Sequence, residues 1–155
     1  MKYIFLFLGK TRESYLRRGI EDYAERLGRY VHVDIRVVKE RYSNRDTDEA
    51  IRRKGTQLLL DQCPSSAFTV ALDLAGKEYD SPGLARQVAA WQDLGKREII
   101  FILGGHLGLD PLAIESADAL WSLSRLTFTH EMSRLIMLEQ LYRAWNILSG
   151  GNYHK

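Results

Sequence analysis

Gly104-Gly105-His106-Leu107-Gly108 stands between the apolar run Ile99–Leu103 and a helical pattern near Pro111. In an α/β chain such a junction lies at the sheet edge where ligands bind, and glycines there let backbone come close to a bound group. The same residues also suit a plain tight turn that uses glycine's positive φ. Their spacing is not G-x-G-x-x-G and no Gly-Lys-Ser/Thr follows. A dinucleotide or a nucleoside triphosphate therefore finds no motif, while another nucleoside-containing ligand stays open. The second candidate is Leu123-Ser124-Arg125-Leu126-Thr127-Phe128-Thr129-His130. Its backbone can hydrogen-bond a purine edge while Leu123, Leu126 and Phe128 wall the ring. Read without a ligand, it is a connection whose Thr129 caps the next helix. The third candidate is the tail, Tyr153-His154-Lys155, where Tyr153 can stack on a base, His154 can move a proton near neutral pH and Lys155 can meet phosphate. A frayed terminus is the alternative. His32, His106, His130 and His154 show no ligand spacing with Cys, Asp or Glu, so no metal site is expected.

The elements that must position these groups are legible as periodicities. Tyr3–Leu8 is a continuous apolar run, the pattern of a buried strand. From Thr11, the residues Tyr15, Leu16, Ile20, Tyr23, Ala24 and Leu27 recur at three- and four-residue steps up to a C-cap at Gly28. Val31, Val33, Ile35 and Val37 alternate with polar residues, predicting a strand with one wetted face. A helix over Thr47–Gln62, a strand Phe68–Leu72, and a helix starting with a Ser81 cap and Pro82 follow. Beyond the Ile99–Leu103 strand, a helix is expected over Pro111–Leu120 and a short segment over Trp121–Leu123. The last helix, about Glu131–Ser149, carries Met132, Leu135, Ile136, Leu138, Leu141, Tyr142, Trp145 and Leu148. That apolar surface is wider than one core-facing stripe, which leaves a homodimer interface or a fully buried helix. Arg134 and Arg143 interrupt it and require a carboxylate or a phosphate as partner. Strands alternating with helices predict an α/β fold, a mainly parallel sheet with helices on both faces.

The chain's 155 residues suit one domain, residues 1–155. Its 45% hydrophobic and 27% charged residues exclude a disordered or fibrous class. Tyr3–Leu8 is too short to cross a membrane, and Cys63 is alone, so a soluble protein of a reducing cytoplasm is expected. The net charge of +2 is unevenly spread: residues 1–54 hold 14 Lys/Arg against 9 Asp/Glu. Either this is a solvated helix face or it is a patch that meets RNA phosphates.

Taken in order, Ile102-Leu103-Gly104-Gly105-x-x-Gly108-Leu109, Leu123-Ser124-x-Leu126-Thr127-Phe128-x-His130, Arg134, Glu139-Gln140-Leu141-Tyr142-Arg143-Ala144 and the final Tyr153-His154-Lys155 resemble one family. It is the ribosomal RNA large subunit methyltransferase H family of SPOUT pseudouridine N3-methyltransferases, and Leu8-Gly9-Lys10, Tyr23-x-x-Arg26-Leu27 and Leu72-Asp73-x-x-Gly76-Lys77 extend the resemblance over the whole chain. The resemblance implies a C-terminal trefoil knot, a homodimer and S-adenosylmethionine as methyl donor, held by Leu72, Gly104, Gly105, Leu123, Ser124, Arg125, Leu126, Thr127 and Phe128. It implies a pseudouridine of 23S rRNA in the assembled ribosome as substrate. Two places depart from the family pattern: His106-Leu107, where a small or polar residue and then Glu or Asn are usual, and Thr129, where proline is usual.

Methylating N3 of pseudouridine requires removal of the imide proton. His154 is the expected base, with Tyr153 orienting or stacking on the ring and Arg143 holding phosphate or a developing oxyanion; His130 is the lower-ranked alternative, fixing the loop. Two other functions fit the same residues: a ribosome-binding or assembly factor without catalysis, and a SPOUT methyltransferase of tRNA.

Overall fold

The structure is a computed structural model that describes residues 1–153. His154 and Lys155, with the roles expected of them, lie outside the described residues. Five strands, β1 (Lys2–Leu8), β2 (His32–Val38), β3 (Phe68–Lys77), β4 (Glu98–Leu103) and β5 (Ala119–Trp121), form a sheet of order β2-β1-β4-β3-β5. Every pairing in it is parallel. Five helices connect them: α1 (Ser14–Leu27), α2 (Asp48–Leu60), α3 (Ser81–Asp93), α4 (Pro111–Ser116) and α5 (His130–Leu148).

Two cores follow from the period-two geometry of the buried strands. Tyr3, Phe5 and Phe7 of β1 and Ile99, Phe101 and Leu103 of β4 face α1, α3 and α5. Ile4, Leu6, Leu8, Ile100 and Ile102 face the other way, onto Leu59 of α2 and Ala113 of α4. Both faces of the sheet are therefore covered, as a continuous apolar run requires, and each such side chain contributes roughly 1.5–3 kcal/mol by leaving water. β2 is an edge strand, and its Val37 is 51% exposed. Because all strands run the same way, the loops after each of them converge on one edge.

Where boundaries depart from the periodicity, tertiary hydrogen bonds explain the difference. α1 starts at Ser14 rather than Thr11 because the amides of Arg12 and Glu13 donate to the Glu131 carboxylate of α5, at 2.9 and 3.0 Å. The predicted Pro111–Leu120 helix stops at Ser116: Asp118 accepts from the Thr69 amide at 2.7 Å and its own amide donates to Thr69 O at 2.9 Å. That exchange zips residues 119–121 onto β3 as a fifth strand. β3 itself runs on to Lys77, with an irregular register between Leu72 and Lys77. Asp80, not Ser81, caps α3, accepting from Gly83 N at 2.7 Å. Thr129 caps α5 as expected; Gly28 is the C-cap of α1, in right-handed conformation.

Helix α5 lies between α1 and α3, burying Met137, Leu138, Leu141 and Ala144 completely. Met132 and Ile136 remain partly exposed and Leu148 is 41% exposed. The helix is thus neither fully buried nor a single-stripe surface helix.

Burial alone would raise the Glu131 carboxyl, but its two amide donors and the neighbouring His130 and Arg134 outweigh this and hold it below the usual range. A depressed folded value stabilises the protein above the unfolded value, and the contribution disappears as pH falls through the folded one. Glu131→Gln is therefore expected to lower the melting temperature at neutral pH. That deficit should shrink as pH drops below about 4.5, in thermal melts of both proteins over a pH series. A deficit independent of pH would show that the carboxylate's charge is not what holds the β1–α1 loop.

Candidate functional site

At the carboxyl edge of β3, β4 and β5 lies a cavity of about 720 Å³, within the roughly 300–1,000 Å³ of small-molecule sites. Its walls are the ends of β3 and β4, the 104–109 turn and the 121–130 connection. Gly104 and Gly108 make the turn possible for different reasons. A Cβ on Gly104 would overlap the carbonyl of Gly108 and stand 2.8 Å from Leu109 N, so the two sides of the turn touch backbone to backbone. Gly108 has φ of 76° and open space around it, so glycine is there for conformation.

Of the nine residues expected to hold the donor, Leu72, Gly104, Gly105, Leu123, Ser124, Leu126, Thr127 and Phe128 line this one cavity. Arg125 is not among its lining residues. Its side chain is 91% exposed and reaches Glu78 at 3.5 Å, since an arginine in an extended loop gains nothing by leaving water. The loop is internally braced: Ser122 Oγ donates to Ser124 O at 3.1 Å and the Leu126 amide donates to Ser124 Oγ at 3.0 Å.

Several lining residues carried no donor-binding expectation: Arg52, Asp73, Trp121, Ser122, His130 and Ser133. Asp73 has a local signal, because it follows Leu72 and its carboxylate takes the Ala75 amide at 2.8 Å in a turn. Gly76 is another such signal, its Cβ position falling on the backbone of Trp121 and Ser122. Arg52 has none; α2 brings it in from across the fold. Its Nε is buried without a hydrogen-bond partner, and the nearest carboxylate, Asp110, is 4.0 Å away. Asp110 is already engaged as the cap of α4. Burial, and then the charge of Arg134, lower the pKa of His130 and favour its neutral ring.

Arg134 anchors the same edge from below. It is fully buried, donates from Nη1 to Thr11 Oγ1 at 2.9 Å and from Nη2 to Leu8 O at 2.6 Å. Its guanidinium stands 4.8 Å from the Phe7 ring centroid.

The two described residues of the expected catalytic set, Tyr153 and Arg143, are together but far from the cavity. The Tyr153 amide donates to Asn146 Oδ1 at 2.9 Å, and its hydroxyl sits 2.9 Å from that of Tyr23 and 3.0 Å from Glu139 Oε1. Arg143 lies 4.7 Å from the Tyr153 ring centroid and donates from Nε to Glu139 at 3.1 Å. The carboxylate partner required of a helix arginine is therefore Glu139, which raises the Arg143 pKa. Burial and the bonds to Tyr23 and Glu139 push the Tyr153 phenol well above its ordinary range, so it remains protonated. Ser133 lines the cavity and Arg143 lies ten residues further along α5, about 15 Å at 1.5 Å per residue.

Among the described residues no cluster of His, Cys, Asp and Glu could hold a metal ion, and no helix is long and apolar enough to cross a membrane.

Comparison with known proteins gives concordant results. A family model described as "Predicted SPOUT methyltransferase" matches residues 1–154. A "Ribosomal RNA large subunit methyltransferase H" of Desulfotalea psychrophila is 43% identical over 155 residues, covering 100% of both chains. One of Geotalea daltonii, with the same name, is 41% identical over 154 residues, 99% of each. Among solved structures, a probable methylase family protein from Haemophilus influenzae aligns with a TM-score of 0.55 over 99% of this chain and 70% of that one. At 10% identity that match speaks for the fold alone. With a family model spanning nearly its whole length and full-length relatives above 40% identity, the chain belongs to the SPOUT methyltransferases, alongside the proteins named ribosomal RNA large subunit methyltransferase H.

Proposed function

We propose that residues 1–155 form a single-domain, S-adenosylmethionine-dependent methyltransferase of ribosomal RNA. Its target is N3 of a pseudouridine in 23S rRNA of the assembled ribosome, and it works in the cytoplasm as a homodimer. The observation that carries this reading is the cavity between the 104–109 turn and the 121–130 loop, in a chain whose full-length relatives bear the methyltransferase name. A C-terminal trefoil knot belongs to the same reading, supported by the match to the SPOUT family model.

The residues present fit such a donor. Leu72, Leu123, Leu126 and Phe128 supply apolar walls for a flat ring, and Gly104 and Gly105 line the cavity on a turn closed backbone to backbone against Gly108. Arg52, with its orphaned Nε, suits the α-carboxylate of the donor, and Asp73 suits its ammonium group. Bound there, S-adenosylmethionine supplies an electrophilic methyl group on a sulfonium. The chain's own task is to exclude water, orient the acceptor base and take its N3 proton. His154 is the base in this proposal. Tyr153 contributes its ring, and its protonated hydroxyl can only donate to or accept from the acceptor, never deprotonate it.

The separation of Tyr153 from the cavity supports the homodimer. With Arg143, and Tyr153 packed against it, about 15 Å along α5 from the cavity, a second copy is what can bring a tail to a donor. The partly exposed Met132 and Ile136 of α5 offer apolar surface for that contact.

Mass spectrometry of ribosomal RNA from cells with and without the protein tests the reaction. Tests on tRNA, naked rRNA and whole ribosomes side by side identify the substrate, and methylation of free tRNA alone would overturn the proposal. A calorimetric titration with S-adenosylmethionine that shows no binding would favour a non-catalytic ribosome factor. The Arg52 assignment has its own test. Loss of a hydrogen bond to a charged group costs about 1.5–3 kcal/mol, roughly 10- to 100-fold in affinity. Arg52→Met is expected to weaken S-adenosylhomocysteine binding by about that factor. Methylthioadenosine, which lacks the amino-acid end, should bind within about twofold of wild type. Equal weakening of both ligands would make Arg52 a wall residue only.

A further inference from the structure

The excess of cations in the first third of the chain has a location. The loops after β1 (residues 9–13) and β2 (residues 39–47) leave the same sheet edge as the cavity, and β2-β1-β4 are adjacent strands. At about 4.8 Å per strand, the β2 loop begins roughly 10 Å from the end of β4, whose turn walls the cavity. The two loops and the turn meet at Glu40: its carboxylate lies 3.0 Å from a Cβ position on Gly9 and 3.1 Å from one on Gly105.

What distinguishes these loops is how their charges are used. Glu40 faces Gly9 and Gly105, and its charge is felt by the buried Arg134. Asp46 accepts from the Ser43 amide at 2.8 Å and from Lys54 at 2.9 Å, which shapes the loop. Both carboxylates of the β2 loop are therefore committed inward. The exposed cations Lys10, Arg12, Lys39, Arg41 and Arg45 make no ion pair among the described residues. Beside them Tyr42 is 44% exposed, a large aromatic ring in water on a polar loop. A strip of unpaired cations with an accessible ring is the chemistry that tracks a nucleic-acid backbone and stacks on a base.

The geometry points to this strip as the surface on which ribosomal RNA docks. Lys10, Arg12, Lys39, Arg41 and Arg45 contact phosphates flanking the nucleotide at the cavity, and Tyr42 stacks on an unpaired neighbour. This rests on the reading of the chain as an rRNA methyltransferase and adds the surface that reading leaves unassigned. The target must reach the cavity mouth, and this cationic strip lies beside it. Each phosphate contact releases counterions, so binding through the strip is steeply salt-dependent.

The test compares Lys39→Gln/Arg41→Gln/Arg45→Gln with a control, Arg29→Gln/Arg97→Gln, which removes exposed cations at the opposite sheet edge. Binding to whole ribosomes from cells lacking the protein is measured at several salt concentrations, with S-adenosylhomocysteine affinity followed by calorimetry. Three lost phosphate contacts are expected to reduce the slope of log affinity against log salt by about 2. Affinity should fall tenfold or more near physiological salt and KM rise, with donor affinity unchanged and the control within about twofold. A triple variant with the wild-type slope and affinity overturns the proposal, and so does equal weakening by the control, which would mean bulk charge. A wild-type protein that binds the donor yet neither binds nor methylates the ribosomes overturns the rRNA reading itself, and this inference with it.

Discussion

Gly104→Ala is expected to weaken S-adenosylhomocysteine binding about 30-fold or more, while Gly105→Ala changes it by less than about fivefold. The two residues are neighbours on one turn, and the same methyl group is added to each. On Gly104 it would overlap the Gly108 carbonyl and crowd Leu109 N, so the turn must open by moving backbone. Both Gly108 and Leu109 line the cavity, so the displacement reaches the site directly. On Gly105 the new Cβ meets only side-chain ends, Glu40 Oε1 at 3.1 Å and Leu8 Cδ2 at 3.4 Å, which can give by a few tenths of an ångström. Overpacking against unyielding neighbours costs about 1–3 kcal/mol, and a tenfold loss of affinity is about 1.4 kcal/mol. Calorimetric titration of both variants, with circular dichroism to establish that each is folded, gives the comparison. Equal affinities for the two variants would mean that the turn is soft and that its backbone contact does not shape the donor pocket.

That contrast marks what could be read from the sequence. The strands were plain because β1 and β4 are buried on both faces and their apolar runs have no polar interruption. The glycine turn and the 123–128 loop were legible as candidates because special backbone leaves a local signature, and both wall the cavity. What escaped was long-range. β5 is three residues long and exists because Asp118 exchanges hydrogen bonds with Thr69; nothing in residues 111–120 marks where their helix must stop. Arg52 reaches the cavity from α2, with a sequence neighbourhood like that of any solvated helix. Arg125 is the converse case: it sits inside a motif whose flanking residues line the cavity, yet its own side chain remains in water beside Glu78. For Tyr153, residue type suggested a placed side chain, and the bonds to Asn146, Tyr23 and Glu139 hold it. Its distance from the cavity could not be read from a linear motif, because it depends on the course of α5.

Arg134→Met should be the most destabilising single change at this edge, by about 3–5 kcal/mol, although methionine fills much of the same volume. A buried guanidinium is costly on its own, and here it is held by fixed partners: Leu8 O, Thr11 Oγ1, the face of Phe7 and the charges of Glu131 and Glu40. Desolvation lowers its pKa and the two carboxylates oppose that. Removing the cation leaves the Leu8 carbonyl without this donor inside the fold and strands two carboxylates that faced a positive charge. Glu131 holds the Arg12 and Glu13 amides and Glu40 abuts Gly105, so the loss is felt at both places. At roughly 2–4 °C per kcal/mol for a chain of this size, the melting temperature should fall by at least about 6 °C. Urea unfolding followed by tryptophan fluorescence, at one protein concentration because dimerisation would contribute, measures it. Arg134→Lys separates charge from shape: it keeps the cation but loses the planar fork that reaches Leu8 and Thr11 together. If charge compensation dominates, the lysine variant recovers most of the loss; if the forked hydrogen bonds dominate, both variants fall alike. A methionine variant as stable as wild type would mean that Glu131 and Glu40 need no buried cation, and that the link between α5 and the end of β1 is carried by packing alone.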